Sequence, residues 1–573
     1  MRRLLHISSG RRQFVSATLA MFGLLVSLLG LNQSVPSAHA TAGVPPGASL
    51  FVPAATPTRL ADTRESEGAF GFTRLEPTRI RVQVAGRGGV PSDASAAVLT
   101  VTSVGSTAGG FVTVYPSGTA MPLASNLNVD YPGRVIANLV TARLGGDGAV
   151  EIYSNMPTDL VVDVAGAYVP TAVAQRQGRL VTISGGARRV LDTRELGVPV
   201  GAGGTQRISL LSADVPSDAR AVVVTITAVD AQPGYWTAFA AGAASPWASN
   251  LNIDLPFQTR SGQAIVPVGT IDGVAAIDVF SQSGGHLVID VAGWFTGASA
   301  PLSTDGLFVP SAPIRLIDTR DHWNIAPWGG TTVEVSSATP WPDNTAAVAL
   351  NVTATDPWNV GYVTAFPAGS ARPFSSNLNV TALDQTIANH AIVRLGERGV
   401  SLFTQSGTNL VADAAGWYLG APDPSTLPPP VNPSTSLTLI GGVSAADVGV
   451  GTYVGYNGNL DSVIDRGLAA LWVGSGTLGT QENNVLFAHR TSAGGPFRNL
   501  DRLKVGSTFT LAGVDGRSFQ FLVTRTAVIS PSTERLLQLA DSGGPITATL
   551  VACQPPGSTA YRIVVVGRLI GLA

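Results

Sequence analysis

Thr547–Leu569 reads TATLVACQPPGSTAYRIVVVGRL, and it holds the only cysteine in the chain, Cys553. Thr547 to Ala552 is rich in threonine, valine and leucine, and Tyr561 to Leu569 is dominated by Ile563, Val564, Val565 and Val566. Both runs have the composition of β-strands. Between them QPPGSTA is turn chemistry, in which proline fixes φ and Gly557 permits a sharp bend. Closed into an antiparallel pair, the two strands put Cys553 at the end of one and Arg562 at the start of the next. Thiol and guanidinium are then neighbours at one rim of a sheet. A thiolate beside a fixed positive charge is a better nucleophile at neutral pH. Arginine keeps its charge and suits a developing oxyanion.

An acid/base is also needed. The C-terminal region has one histidine, His489, at the end of the strand-like run NNVLFAHR. One Cys, one His and one Arg, each at a strand end, make a cysteine transpeptidase constellation. TLVAC followed by YRIVVVGRL, and preceded by VLFAHRTSAGGPFRNLDRLKVGSTF, resembles the sortase family over residues 437–573. Sortases carry a T-L-x-T-C strand, an arginine near the start of the next strand, and a histidine followed by a glycine-containing turn and an F-x-x-L-x-x-L segment. Ala552 stands where the family has threonine. The resemblance implies Cys553 as nucleophile, His489 as general acid/base and Arg562 as stabiliser of the oxyanion or substrate. It also implies an LPxTG-like sorting signal as substrate and a cell-wall precursor amine as acceptor. Two other readings stand beside it: a wall-binding scaffold or adhesin with a silent sortase-like domain, and a peptidase that resolves the thioacyl with water.

In the same region Leu437 to Gly449 and Leu468 to Val473 read as opening strands, with turn chemistry around Tyr456-Asn457-Gly458. GSGTLGTQENN reads as a surface loop. Pro496 to Leu503 is short and amphipathic. Ser507 to Leu511 and Phe519 to Val528 form a hairpin around Val514-Asp515-Gly516. The resemblance implies a closed or nearly closed β-barrel with short helices.

At 573 residues the chain is too long for one core. A net charge of −2 with 13% charged residues gives no basic face, so nucleic acid is excluded as a partner. One cysteine excludes an internal disulfide framework, and Lys504, the only lysine, excludes lysine–asparagine cross-links in the repeats. No His, Cys or acidic cluster has metal-ligand spacing, although the loop acids Glu482 and Glu534 offer a weak calcium site. No cofactor is expected. Residues 1–40 are an export segment: Arg2, Arg3, Arg11 and Arg12, an apolar run from Phe14 to Leu31, then Ala38-His39-Ala40. Arg11-Arg12-Gln13-Phe14-Val15 resembles a twin-arginine signal, a general-secretion signal being the alternative. Left uncleaved, the apolar run is long enough to anchor the chain in a membrane. Either way the remainder is extracellular or at the cell surface.

Three repeats follow, at 41–170, 171–300 and 301–420, with a period of about 125 residues, longer than that of solenoids. Their landmarks are RLADTR, RVLDTR and RLIDTR (Asp62, Asp192, Asp318), then SNLN (Asn126, Asn250, Asn377), then DVAGAY, DVAGWF and DAAGWY (Asp163, Asp290, Asp413). The apolar runs AAVLTVTSV, AVVVTITAV and AVALNVTAT are β-branched strands preceded by turns. Each repeat is expected to be an antiparallel β-sandwich or barrel-like domain with its own core. The repeats resemble a unit found in tandem in secreted actinobacterial proteins, which implies a cell-wall setting and no defined activity. The D-T-R aspartates invite a glycosidase reading. A turn in which Asp accepts backbone N–H groups and Arg pairs nearby accounts for them better. The SNLN asparagines are likewise expected to satisfy backbone groups beside a sheet.

Trp236, Trp247, Trp294, Trp323, Trp328, Trp341, Trp358 and Trp417 all fall in repeats two and three. Most are expected to cover the core, with exposed ones able to stack on cell-wall glycan. Residues 421–436, APDPSTLPPPVNPSTS, are a proline-rich linker reaching roughly 50 Å if extended.

Overall fold

A computed structural model of the chain describes residues 44–320, 331–336, 341–357, 359–426, 438–456, 460–472, 478, 483–514, 516–529, 546–556 and 560–572. The expected export segment, most of the linker, Trp323, Trp328, Trp358, Glu482 and Glu534 lie outside them. Among the described residues no helix is long and apolar enough to cross a membrane.

The C-terminal region is a closed eight-stranded barrel. Its strands are Thr438–Ala445, Val450–Tyr456, Ala469–Leu471, Asn484–Phe487, Thr508–Gly513, Ser518–Ile529, Thr547–Gln554 and Tyr561–Leu572. Most neighbours are antiparallel, but Asn484–Phe487 pairs parallel with Thr547–Gln554. The interior is filled by alternate residues of each strand, among them Leu486, Leu550, Ala552, Ile563 and Val565. Phe497, Leu500 and Leu503 supply the apolar side of the short amphipathic run and pack into that core. Two elements depart from the sequence reading. GTYVGY is a strand rather than the approach to a turn, and Leu460–Ile464 is a short helix. Val450, Val454 and Tyr456 are buried, and core contact outweighs the turn-forming glycines between them.

Each repeat is two antiparallel sheets face to face. In repeat one the inner sheet holds Ser49–Asp62, Asp159–Pro170, Ala96–Val104 and Val135–Arg143. The outer sheet holds Thr73–Glu76, Arg79–Gln83, Ala149–Ser154, Gly110–Pro116 and Leu127–Val129. The inner sheets of repeats one and three run together through the pair Ser49–Phe308.

The inner strands are apolar on both faces because both faces are covered. In Ala96–Val104, Ala97, Leu99 and Val101 face the repeat's own core. Ala96 and Val98 face a second core shared by all three repeats. Repeats two and three put Ala221 and Val223, and Ala347 and Ala349, at the same positions of that core. Its rings are Phe51, Tyr168, Phe295, Phe308 and Tyr418. Full burial of each contributes about 1.5–3 kcal/mol. The two phenols satisfy each other, Tyr168 Oη to Tyr418 Oη at 2.5 Å. The glycine of the D-x-A-G landmark is required by this packing: a Cβ on Gly166 would lie 2.5 Å from Phe51 Cζ, and one on Gly416 2.5 Å from Phe308 Cζ.

Further along the same strands the positions facing the shared centre turn polar, and side chains from all three repeats bond one another. His390 Nδ1 meets Gln263 Oε1 at 2.8 Å and His390 Nε2 meets Thr141 Oγ1 at 3.0 Å. Gln263 Oε1 also accepts from Ile392 N at 2.8 Å, which fixes it as the carbonyl oxygen. Nδ1 therefore carries the proton, and Nε2 accepts from the Thr141 hydroxyl. Asn138 donates to Asn351, and Asn351 donates to the carbonyl of Ser125.

Candidate active site

Side-chain parity brings Cys553 and Arg562 to one face. On Thr547–Gln554 the residues Ala548, Leu550 and Ala552 point into the barrel, and Val551 points outward. Alternation therefore turns Cys553 outward as well. On Tyr561–Leu572 the residues Ile563 and Val565 are interior, Val564 and Val566 exterior, which turns Arg562 outward. Cys553 and Arg562 are direct cross-strand partners. On the third strand Leu486 and Ala488 are interior and Val485 is exterior. The parallel register pairs Phe487 with Val551, and Ala488 N donates to Val551 O at 3.2 Å. The ladder ends there, and His489 follows the strand two residues past Phe487.

The floor of this outer face is apolar. Trp472, Val485, Ile529, Val551, Val564 and Val566 form a second cluster there, with Leu460 and Phe487 packed against it. Cys553 is half-buried, and the His489 side chain is 22% exposed, so both are reachable from solvent. Ala552 faces the barrel core and is 4% exposed. The position where the family carries threonine therefore serves packing, on the side of the strand opposite the sulfur.

Two partners of the site were not legible in the sequence. Asp465, just past the Leu460–Ile464 helix, meets His489 Nε2 at 2.9 Å. Arg490 donates to the carbonyl of Arg498, to Asp501 Oδ1 at 2.7 Å and to Gln554. Arg490 is buried. A motif shows the spacing of Cys, His and Arg, whereas these partners are set by where a short helix and a loop end. Arg562 donates to the carbonyl of Tyr561 at 3.2 Å.

The repeats' landmarks assemble into three equivalent ion networks. Asp62 accepts from Arg64 N and Nε at 3.1 and 2.9 Å, and Arg59 bridges Asp62 to Asp163. Arg189 likewise bridges Asp192 to Asp290, and Arg315 bridges Asp318 to Asp413. The threonines Thr63, Thr193 and Thr319 accept the backbone N–H of Leu160, Leu287 and Leu410. Hydrogen bonds from Arg194 hold Asp192 below the usual carboxylate range, while burial pushes Asp290 up. Each carboxylate is engaged by arginine, so the networks tie neighbouring strands of each inner sheet to one another. Asn126, Asn250 and Asn377 each accept a backbone N–H at 2.7 Å, from Val114, Ala238 and Ala365. Trp236 and Trp341 are buried, Trp294 and Trp417 pack against the cores, and Trp247 is exposed.

Residues 445–570 match the sortase domain family model. Among solved structures the chain is similar to sortase E1 from Streptomyces coelicolor with a tripeptide in the active site, at 21% identity over 24% of this chain and 90% of that one, TM-score 0.22. It is also similar to sortase C1 from Streptococcus agalactiae, at 23% identity over 23% of this chain and 67% of that one, TM-score 0.19. A third is the SrtA sortase from Actinomyces oris, at 19% identity over 25% and 87%, TM-score 0.23. No curated protein matches the chain. The closed C-terminal barrel is thus the part of the chain that matches the sortase domain.

Proposed function

We propose that the protein is a secreted or surface-held transpeptidase acting on an LPxTG-like sorting signal. The observation that carries the reading is that Cys553 and Arg562 are outward-facing cross-strand partners, with His489 following the strand that pairs parallel with the Cys553 strand. Leu460 and Phe487, partly buried at the edge of the apolar cluster on that face, offer apolar contact to the leucine and proline of an extended peptide. The Cys553 sulfur attacks the Thr–Gly carbonyl carbon, a C–S bond forms, and Arg562 stabilises the oxyanion. His489 gives a proton to the departing glycine amine as the C–N bond breaks. An amine of a cell-wall precursor then attacks the thioester. It forms the new amide, releases the sulfur and returns a proton to His489.

The repeats hold this domain at the wall, with repeats two and three binding wall glycan. The test of the chemistry is cleavage of LPxTG-like peptides with and without an amine acceptor. Cys553→Ala should abolish turnover and leave the fold intact by circular dichroism. Turnover that survives Cys553→Ala would refute the assignment of the nucleophile. Product formed only with water would identify a peptidase.

A further inference from the structure

Leu123, Trp247 and Phe374 are 86%, 89% and 89% exposed. Each lies three residues before the asparagine of its SNLN landmark, so the three are the same position in the three repeats. Each also meets the bridging arginine of another repeat. Arg59 of repeat one donates to the Trp247 carbonyl at 3.4 Å. Arg315 of repeat three donates to the Leu123 carbonyl at 2.8 Å. The Arg189 guanidinium of repeat two lies 5.6 Å from the centre of the Phe374 ring. The relation is cyclic: each repeat offers one loop tip to a neighbour and receives one tip from the other.

A single exposed apolar side chain needs no explanation. Three at one position, each held at a seam by an arginine that two buried aspartates fix in place, form a built feature. Side chains that remain exposed in rigidly supported loops are available to a ligand without an ordering cost. The three tips are isolated apolar side chains among charged groups, not a contiguous patch of the size a protein interface needs. A flat exposed ring near a partly exposed guanidinium suits a sugar; at Phe374 the guanidinium lies over the ring, and at Trp247 it is held at the residue's own carbonyl. The C–H face of a pyranose lies on the electron-rich ring face, and its hydroxyls accept from arginine.

We propose that Trp247 with Arg59, and Phe374 with Arg189, are two seam sites for pyranose rings of wall polysaccharide. The third seam, at Leu123, lacks a ring and does not stack. This deepens the wall-glycan reading above and is independent of Cys553. Two sites on one rigid unit would bind a long polysaccharide far more tightly than either alone.

The test uses the full chain, an N-acetylglucosamine tetramer followed by calorimetry, and retention on purified cell wall. Trp247→Ala and Phe374→Ala should each remove one of two tetramer sites. The double variant should lose tetramer binding and at least tenfold of the wall retention. Leu123→Ala should change nothing, and Leu123→Trp should add a site. Because all three side chains are exposed, unchanged thermal melting is expected and is checked alongside. A double variant that binds wall as the parent does would overturn the seam sites while leaving the wall reading intact. A parent chain that neither binds tetramer nor is retained on wall would overturn both.

Discussion

Arg490 and Gln554 are hydrogen-bonded to each other, and each directly follows a residue of the proposed chemistry, His489 and Cys553. Arg490 is 3% exposed and also holds the Arg498 carbonyl and Asp501. One buried guanidinium thus ties two strand ends together. The tie joins the residue after the imidazole to the residue after the sulfur.

Arg490→Met keeps much of the length and removes every donor. It should destabilise the domain by about 1–3 kcal/mol, since acceptors arranged around a buried guanidinium lose their partner. kcat for peptide cleavage should fall at least tenfold with little change in KM, because the apolar floor is untouched. Arg490→Lys should not restore it, as a single ammonium cannot reach three diverging acceptors. Steady-state kinetics with a thermal melt of each variant checks both effects.

Asp465→Asn retains a hydrogen-bonding side chain beside His489 and removes its charge. The Asp465 side chain is 70% exposed, so stability should move by no more than about 0.5 kcal/mol. kcat should fall about tenfold as the imidazole loses the carboxylate that orients it. An unchanged kcat would mean that the contact has no part in turnover.

Burial pushes His390 down from 6.5 to about 3. The unfolded chain takes up a proton on this ring near 6.5, the folded chain only near 3. Between those values the unfolded state binds more protons, so the contribution is complete above about 6.5 and is lost as pH falls towards 3. The thermal midpoint of the repeats should therefore begin to drop below pH 6.5, before the carboxylates titrate. Asp192 and Asp318, held low by hydrogen bonds from Arg194 and Arg320, add a second loss at more acidic pH. Asp163, Asp290 and Asp413, raised by burial, oppose it. His390→Leu should lower the midpoint at pH 7.5, since Gln263 and Thr141 lose a partner, and should flatten the slope between pH 7 and pH 5. Melts across that range test both statements.

The strand pair around Cys553 was legible because valine and isoleucine runs flank a proline–glycine turn, and the observed register joins Cys553 to Arg562. The D-T-R turns and the SNLN asparagines were legible because their hydrogen bonds are made to backbone a few residues away or to an adjacent strand. The tie through Arg490 and the contact from Asp465 were not, because loop geometry decides them. Nor was the core that the repeats share. Alternation along Ala96–Val104 shows that both faces are apolar, but a periodicity carries no record of what covers the second face.

That shared core makes the number three a structural requirement. A solitary copy would leave Phe51, Val98 and Tyr168 facing water and could bury them only by meeting two other molecules. Joined end to end in one polypeptide, the copies close their ring at any dilution. The assembly is then a property of the gene product itself, insensitive to its concentration.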